Sequence, residues 1–265
     1  MGVGTSKFAV ILPAAGRSSR FGNPKEKKVY AELEGRAVWL RSVEPFVNRD
    51  DVAQVILVVA PEDRDLFERR YRPSVAFMAI QVIEGGAERS DSVARALAAV
   101  DPICDFVAIH DAARPCITRE QIDAVFQAAL LEGAALLAIP LSDTLKRVDS
   151  ERKTVETIPR NGLYLAQTPQ VFRRELIQAA YANRGQLNMT ITDDTQLVEA
   201  MGHACAVVES NAMNLKITTA DDLRLAAAIL HASPKPRREG HSHPFVDEAA
   251  MWGSGPKICP GDLFS

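Results

Sequence analysis

Apolar positions along this chain follow two alternating rhythms. Short runs that are apolar on nearly every residue, at 8–12, 55–60, 79–83, 106–109, 135–140 and 204–208, predict strands with both faces covered. Between them, apolar residues recur at helical spacing in 37–46, 61–71, 90–100, 119–132, 174–181, 193–201 and 220–231. Strands alternating with helices build βαβ units, and right-handed crossovers place the helices on both faces of a largely parallel sheet. The expected fold class is α/β.

Two segments depart from this rhythm. Residues 142–158 alternate polar and β-branched side chains around a charged turn at 149–152, which predicts a projecting two-stranded arm. A lone ribbon is marginally stable in water, so an arm spanning about 142–160 is expected to pack on a second copy of the chain. From residue 233 onward the sequence is rich in proline and glycine and has no periodicity. One domain is therefore expected over 1–232, followed by a poorly ordered tail over 233–265. His241 and His243 in that tail could bind a metal, but read as part of the extension.

Composition narrows the function. The 265 residues are 47% hydrophobic and 25% charged, ordinary values for a globular protein. A balance of 31 basic to 34 acidic residues argues against a dedicated nucleic-acid binder. No run approaches the ~18 apolar residues of a membrane span, and no signal peptide is visible. The four cysteines, Cys104, Cys116, Cys205 and Cys259, are too scattered for a zinc site or a disulfide framework. Reduced thiols in a cytoplasmic protein are expected.

Positive charge is local instead. The stretch VILPAAGRSSRFGNPKEKK at 10–28 carries Arg17, Arg20, Lys25, Lys27 and Lys28 against a single Glu26. Ligands of open α/β sheets bind beyond the carboxyl ends of strands, which is where this segment begins. Pro13-Ala14-Ala15-Gly16 has little side-chain bulk, so its backbone amides can approach phosphate oxygens or a flat base. The segment matches neither the P-loop nor the dinucleotide fingerprint, and an ordinary surface loop with solvated lysines would also account for it.

Three further clusters follow strand ends. Gly85-Gly86-Ala87-Glu88-Arg89-Ser90-Asp91-Ser92 allows close ligand approach and opens a helix that Ser90 or Asp91 could cap. His110-Asp111-Ala112-Ala113-Arg114 places at a strand end a carboxylate that can hold Mg²⁺, with a histidine that reads as base, ligand or hydrogen-bonded structural residue. Arg114 could bind phosphate or pair with a carboxylate. Arg160, Thr168 and the stretch 190–194 come later, with Thr192 also reading as a helix N-cap. Lys216, expected within a short apolar strand between Leu215 and Ile217, requires an anionic partner or an exposed edge.

Taken in order, PAAGRSSRF, GGAERSDSV, HDAARP, SDTLK, RNGLYLAQTPQVF, TITDD and NLKIT resemble the 2-C-methyl-D-erythritol 4-phosphate cytidylyltransferase family, across residues 8 to about 230. The resemblance implies a Rossmann-like three-layer α/β/α nucleotidyltransferase fold with a mainly parallel twisted sheet and a protruding β-arm. It also implies transfer of CMP from CTP to methylerythritol phosphate with release of pyrophosphate, assisted by Mg²⁺, in a homodimer. Pro13, Ala14, Ala15, Gly16, Gly85, Gly86, Ala87, Ser92 and Asp111 would then serve the nucleotide. Asp111 would organise the metal, and Arg20, Lys216 and one lysine of the basic run would stabilise the transition state. Asp111, Ala112, Arg114, Thr144, Arg160, Thr168 and Thr192 would serve the sugar phosphate, Thr144 and Arg160 acting on the neighbouring subunit's site. Two departures stand out: Ala87 replaces the family's usual aspartate, and Pro24-Lys25-Glu26-Lys27-Lys28 reads as an insertion. The Pro-Lys pair favours Lys25 as the catalytic lysine, whereas spacing to Tyr30 and Gly35 favours Lys28, the preferred assignment. A ribitol 5-phosphate cytidylyltransferase and a non-catalytic nucleotide or sugar-phosphate binder are the alternatives.

Overall fold

The computed structural model describes residues 6–16, 18, 21, 27–187 and 190–232. Its centre is a seven-stranded sheet built from β1 (Phe8–Pro13), β4 (Val52–Val59), β5 (Gln81–Glu84), β6 (Phe106–Ile109), β7 (Ala134–Pro140), β10 (Tyr164–Arg173) and β11 (Ala206–Glu209). The spatial order is β11-β7-β10-β6-β1-β4-β5. Every neighbouring pair is parallel except those made by β10, which is antiparallel to both β6 and β7.

The unbroken apolar runs are explained by burial on both faces. In β1, Phe8, Val10 and Leu12 point into one core, with side chains of α1 (Val38–Val47), α2 (Arg64–Phe77) and α4 (Arg119–Glu132). Ala9 and Ile11 point into the other, with α3 (Arg89–Ala98), α5 (Arg174–Ala182) and α6 (Thr195–Glu199). Three layers result. α7 (Ala220–Ala232) contributes Ala226 to a smaller third cluster with Phe21, Leu33 and Ile217. The elements up to Leu230 form one compact unit. The expectations for 233–265, including His241 and His243, lie outside the described residues.

The arm forms as expected: β8 (Leu145–Val148) pairs antiparallel with β9 (Thr154–Ile158), closed by a turn around Asp149. Two elements appear that the sequence pattern did not predict. β10, a strand inside the sheet, was not expected, because Pro169 lacks the N–H that a ladder needs. The ladder accommodates it with a register break between Ala166 and Gln170, at the cis Thr168–Pro169 bond. The tight hairpin β2 (Glu32–Leu33) and β3 (Arg36–Ala37) is also new. Its two turn residues, Glu34 and Gly35, both have positive φ, at 50° and 75°, the conformation that suits two-residue hairpins.

Candidate active site

A cavity of about 580 Å³ lies beyond the carboxyl ends of β1, β4, β5 and β6. The strand order reverses here: β1 lies between β4 and β6, so loops leave it toward opposite faces and open a crevice. Pro13, Ala14, Ala15 and Gly16 form one wall, and Gly85, Gly86 and Ala87 another.

These two loops are bare because they abut. Ala14 N–H donates to Val58 O at 2.8 Å and Gly85 N–H to Val59 O at 2.8 Å, pinning both loops to β4. A Cβ on Gly85 would lie 2.7 Å from both Ala15 Cβ and Ser92 Oγ, and one on Gly86 would lie 2.3 Å from Asp91 Cβ. Only glycine fits at either position. Gly86 N–H donates to Ser92 Oγ at 3.1 Å, and that hydroxyl donates to Glu88 O at 3.1 Å. Ser92 therefore shapes the glycine loop from beneath. Asp91 caps the helix as expected, as the third residue of a capping box: Glu88 is the N-cap of α3, and Asp91 accepts the Glu88 N–H at 3.3 Å. Ser90 does not cap.

Asp111 stands just past the end of β6, buried, with its side chain among three cations. Lys216 Nζ lies 2.8 Å from Oδ2, Arg114 Nε 3.5 Å from Oδ2, and Arg89 Nε 3.7 Å from Oδ1. Burial opposes its ionisation, but Lys216, Arg89 and Arg114 prevail and hold the carboxyl well below the usual carboxylate range. Lys216 thus has the anionic partner its apolar flanks required. It does not sit in a strand, however: residues 215–218 are irregular, and Ile217 N–H anchors them to Ala113 O at 2.8 Å. Side-chain packing of Leu215 and Ile217 into the third cluster, not a ladder, explains the apolar pattern.

His110 is fully buried, and burial lowers its pKa to about 4, so it is neutral at physiological pH. It contacts Arg114 O and Thr168 Oγ1 and is a structural histidine. Thr168 is buried too, its hydroxyl occupied by His110 and by the Asp111 N–H. Arg114 is buried and donates to Asn214 O at 2.6 Å. Ala112 is buried beside Asp111 and lines the cavity.

Lys28 lines the cavity, whereas Lys27 does not and is paired with Glu62 and Asp63, at 2.9 Å and 2.7 Å. Arg20 and Lys25 lie outside the described residues. Thr144 and Arg160 are exposed at the base of the arm, where Arg160 donates to Ser142 O, and neither lines the cavity. Thr192 is exposed and donates to Gln196 Oε1 at 3.0 Å. It is not the N-cap of α6: Asp194 holds that position without a side-chain cap bond, and Asp193 just before it accepts the Gln196 N–H at 3.2 Å.

A magnesium ion fits this donor set in one way. Among the described residues no group of three acidic, histidine or cysteine side chains could cage a metal. Asp111 offers a single ionised, hard carboxylate at the cavity edge, the arrangement suited to Mg²⁺ that takes its remaining ligands from phosphates and water.

The family model for 2-C-methyl-D-erythritol 4-phosphate cytidylyltransferase matches residues 8–232. The chain belongs to this family. It is 41% identical to the cytidylyltransferase of Rhodopirellula baltica, over 85% of this chain and 96% of that protein. The corresponding protein of Alkaliphilus oremlandii is 36% identical, over 89% and 98%. Among solved structures, the Thermus thermophilus 2-C-methyl-D-erythritol 4-phosphate cytidylyltransferase superposes with a TM-score of 0.69 at 32% identity, covering 83% of this chain and 98% of that one. The 4-diphosphocytidyl-2C-methyl-D-erythritol synthase of Anaerococcus prevotii gives a TM-score of 0.73 at 27% identity, over 86% and 99%.

Within this cytidylyltransferase chain, sequence reasoning passed over two site residues. Arg89 lines the cavity and forms a two-pronged pair with Asp194, which has no exposed surface. Both sit in motifs already singled out, GGAERSDSV and TITDD. Their pairing spans 105 residues and leaves no local sequence signal.

Proposed function

We propose that this chain transfers CMP from CTP to 2-C-methyl-D-erythritol 4-phosphate, releasing pyrophosphate and forming 4-diphosphocytidyl-2-C-methyl-D-erythritol for non-mevalonate isoprenoid synthesis. The observation that carries this reading is the 2.8 Å pair of Lys216 and Asp111 at the edge of a cavity walled by bare backbone, in a chain of this family.

The chemistry needs no general base. A phosphate monoester has its second pKa near 6, so its oxygen is largely ionised at neutral pH. That oxygen bonds to the α-phosphorus of CTP while the bond from the α-phosphorus to the bridging oxygen breaks, and pyrophosphate leaves with the electron pair. What the protein must supply is alignment of two polyanions and fixed positive charge. Cytosine and ribose fit against Pro13–Gly16 and Gly85–Ala87, where no side chain keeps them from the amides. Lys216, Lys28 and Arg20 would offset charge on the α-phosphate, with Lys25 the alternative to Lys28, and Arg114 and Thr192 would serve the sugar phosphate, while Thr168 holds the backbone of Asp111. Asp111 would hold Mg²⁺, which when bound draws the phosphate oxygens together and lowers their charge. Asp111 also holds the Lys216 ammonium at the cavity edge.

A homodimer through the 142–160 arm belongs to the same reading. Val148, Val155, Tyr164 and Leu165 are about half or more exposed on and beside the arm, apolar surface that a second copy would cover in part. Thr144 and Arg160, remote from this chain's cavity, would then meet the partner's. A cytoplasmic location goes with the free thiols of Cys104, Cys116 and Cys205, and no described helix is long and apolar enough to cross a membrane. The deciding test measures pyrophosphate release from CTP with methylerythritol phosphate and, in parallel, ribitol 5-phosphate. Release with only the second would replace the proposed substrate.

A further inference from the structure

Arg89 opens α3 immediately after the glycine loop, and its guanidinium faces two carboxylates at once. NH1 and NH2 donate to Asp194 Oδ1 and Oδ2 at 3.0 Å and 2.7 Å, a planar fork that fixes direction as well as distance. Nε lies 3.7 Å from Asp111 Oδ1. Lys216 and Arg114 both address Oδ2. Among the described residues, Arg89 is the cation paired to Oδ1, and it therefore opposes rotation of the carboxylate about its Cβ–Cγ bond. At 3.7 Å the contact is one of charge without a hydrogen bond, so the lone pairs of Oδ1 remain available toward the cavity.

The anchor itself is rigid. Asp194 is fully buried, accepts from Tyr181 OH, and gives its N–H to Gln170 Oε1 at 3.0 Å. Gln170 sits in β10 opposite Ile109 of β6, two residues before Asp111. The pair therefore rests on the same ladder as the carboxylate it orients. Asp194 is fully buried and the Arg89 side chain 31% exposed; a pair so largely removed from water adds little net stability over an apolar pair of similar volume, so stability alone gives no reason for an arginine here. Direction does.

We propose that Arg89 is a positioning residue for the transfer reaction: locked by Asp194, it sets the orientation of Asp111 toward Lys216 and ties the glycine loop to the segment preceding α6. The proposal rests on the cytidylyltransferase reading given above. Its test compares Arg89→Met, Asp194→Asn and the double variant with the wild-type chain. Arg89→Met alone should lower the thermal midpoint, since it strands a buried carboxylate. The double variant removes that charge and should recover the midpoint, yet its kcat should stay about 10- to 100-fold down, the scale of a misplaced transition-state group, with KM for CTP changed less than about threefold. In an Asp111→Asn background the further loss from Arg89→Met should be under about twofold, because residues acting through one group are not additive. Recovery of kcat together with the midpoint would reduce Arg89 to a strut and overturn the proposal, as would losses that multiply in the Asp111→Asn background. If the wild-type chain makes no product from CTP and methylerythritol phosphate, it is the underlying reading that fails. Hydrogen exchange then decides the anchoring separately. The Asp194 and Thr195 amides should exchange at least about tenfold faster in the double variant, as expected when a local opening becomes easier, and unchanged exchange overturns the anchoring.

Discussion

The Asp111 amide donates to Thr168 Oγ1 at 3.0 Å, joining the end of β6 to the break in β10 across 57 residues. The same hydroxyl lies 3.2 Å from His110 Nδ1, and His110 Nε2 lies 3.1 Å from Arg114 O. A carbonyl can only accept, so Nε2 carries the ring proton, Nδ1 accepts, and Thr168 donates to it. The chain of bonds runs one way and fixes the backbone from which the Asp111 side chain projects.

Thr168→Val should therefore leave the Asp111 amide and His110 Nδ1 buried without partners, at about 1–3 kcal/mol for each stranded group. Thr168→Ser should restore most of the loss. Denaturant unfolding of the two variants measures this. Equal stability of Val and Ser at this position would show that the hydroxyl is not holding the site.

Acid sensitivity follows from His110. Its pKa is near 6.5 in an unfolded chain and about 4 when buried here. Between these values the unfolded state binds a proton that the folded state does not, so stability is full above pH 6.5 and falls as pH drops to about 4. The loss from this residue is about 3 kcal/mol. Asp111, held ionised by its cations, adds a separate loss below the ordinary carboxylate range. His110→Asn should flatten the 6.5-to-4 portion of a stability-versus-pH curve whatever it does to absolute stability, and an unaltered slope would mean His110 is not buried neutral.

Lys216→Met should reduce kcat by roughly 10²-fold or more, the usual cost of removing one transition-state donor. Its ammonium also offsets the charge of the buried Asp111 carboxylate, so the thermal midpoint should fall together with kcat. Arg20→Ala should act on kcat to a similar extent. Lys28→Ala should exceed Lys25→Ala in effect, and the reverse ranking would reassign the lysine. Single-turnover kinetics with CTP separates these losses from slow product release.

Two glycines give a matched pair. A Cβ at Gly16 meets nothing within 4 Å, whereas one at Gly86 meets Asp91 Cβ at 2.3 Å. Gly86→Ala should displace the first turn of α3 and lower both stability and activity. Gly16→Ala should leave folding intact and raise KM for CTP, because the methyl occupies space assigned to the nucleotide. Unchanged KM would remove Gly16 from the nucleotide wall.

Val155 is 61% exposed and Leu165 51%, on and beside the arm. Val155→Glu with Leu165→Glu should shift sedimentation from dimer toward monomer and cut turnover, if Thr144 and Arg160 complete the partner's cavity. A wild-type chain that sediments as a monomer would exclude the dimer outright.

Much of this architecture was legible in the residues. α4 and β6 have their expected boundaries because a capping box at Thr118 and Gln121 and a four-residue buried run define them locally. Lys216 was marked by its apolar flanks, since a buried-side lysine must find an anion. β10 was hidden by Pro169, and its place in the sheet depends on pairing with strands far away in sequence. Arg89 and Asp194 stood within GGAERSDSV and TITDD without a role, because their pairing joins positions 105 residues apart.

The amino-acid order alone determined the alternating α/β layers, the arm and the two bare loops, because periodicity, turn chemistry and missing side chains are local properties of consecutive residues. Only the folded chain decided that one carboxylate gathers Lys216, Arg114 and Arg89, and that Thr168 faces His110 and not the cavity. Those relations depend on the register of strands and on burial, and both are set by contacts between residues dozens of positions apart.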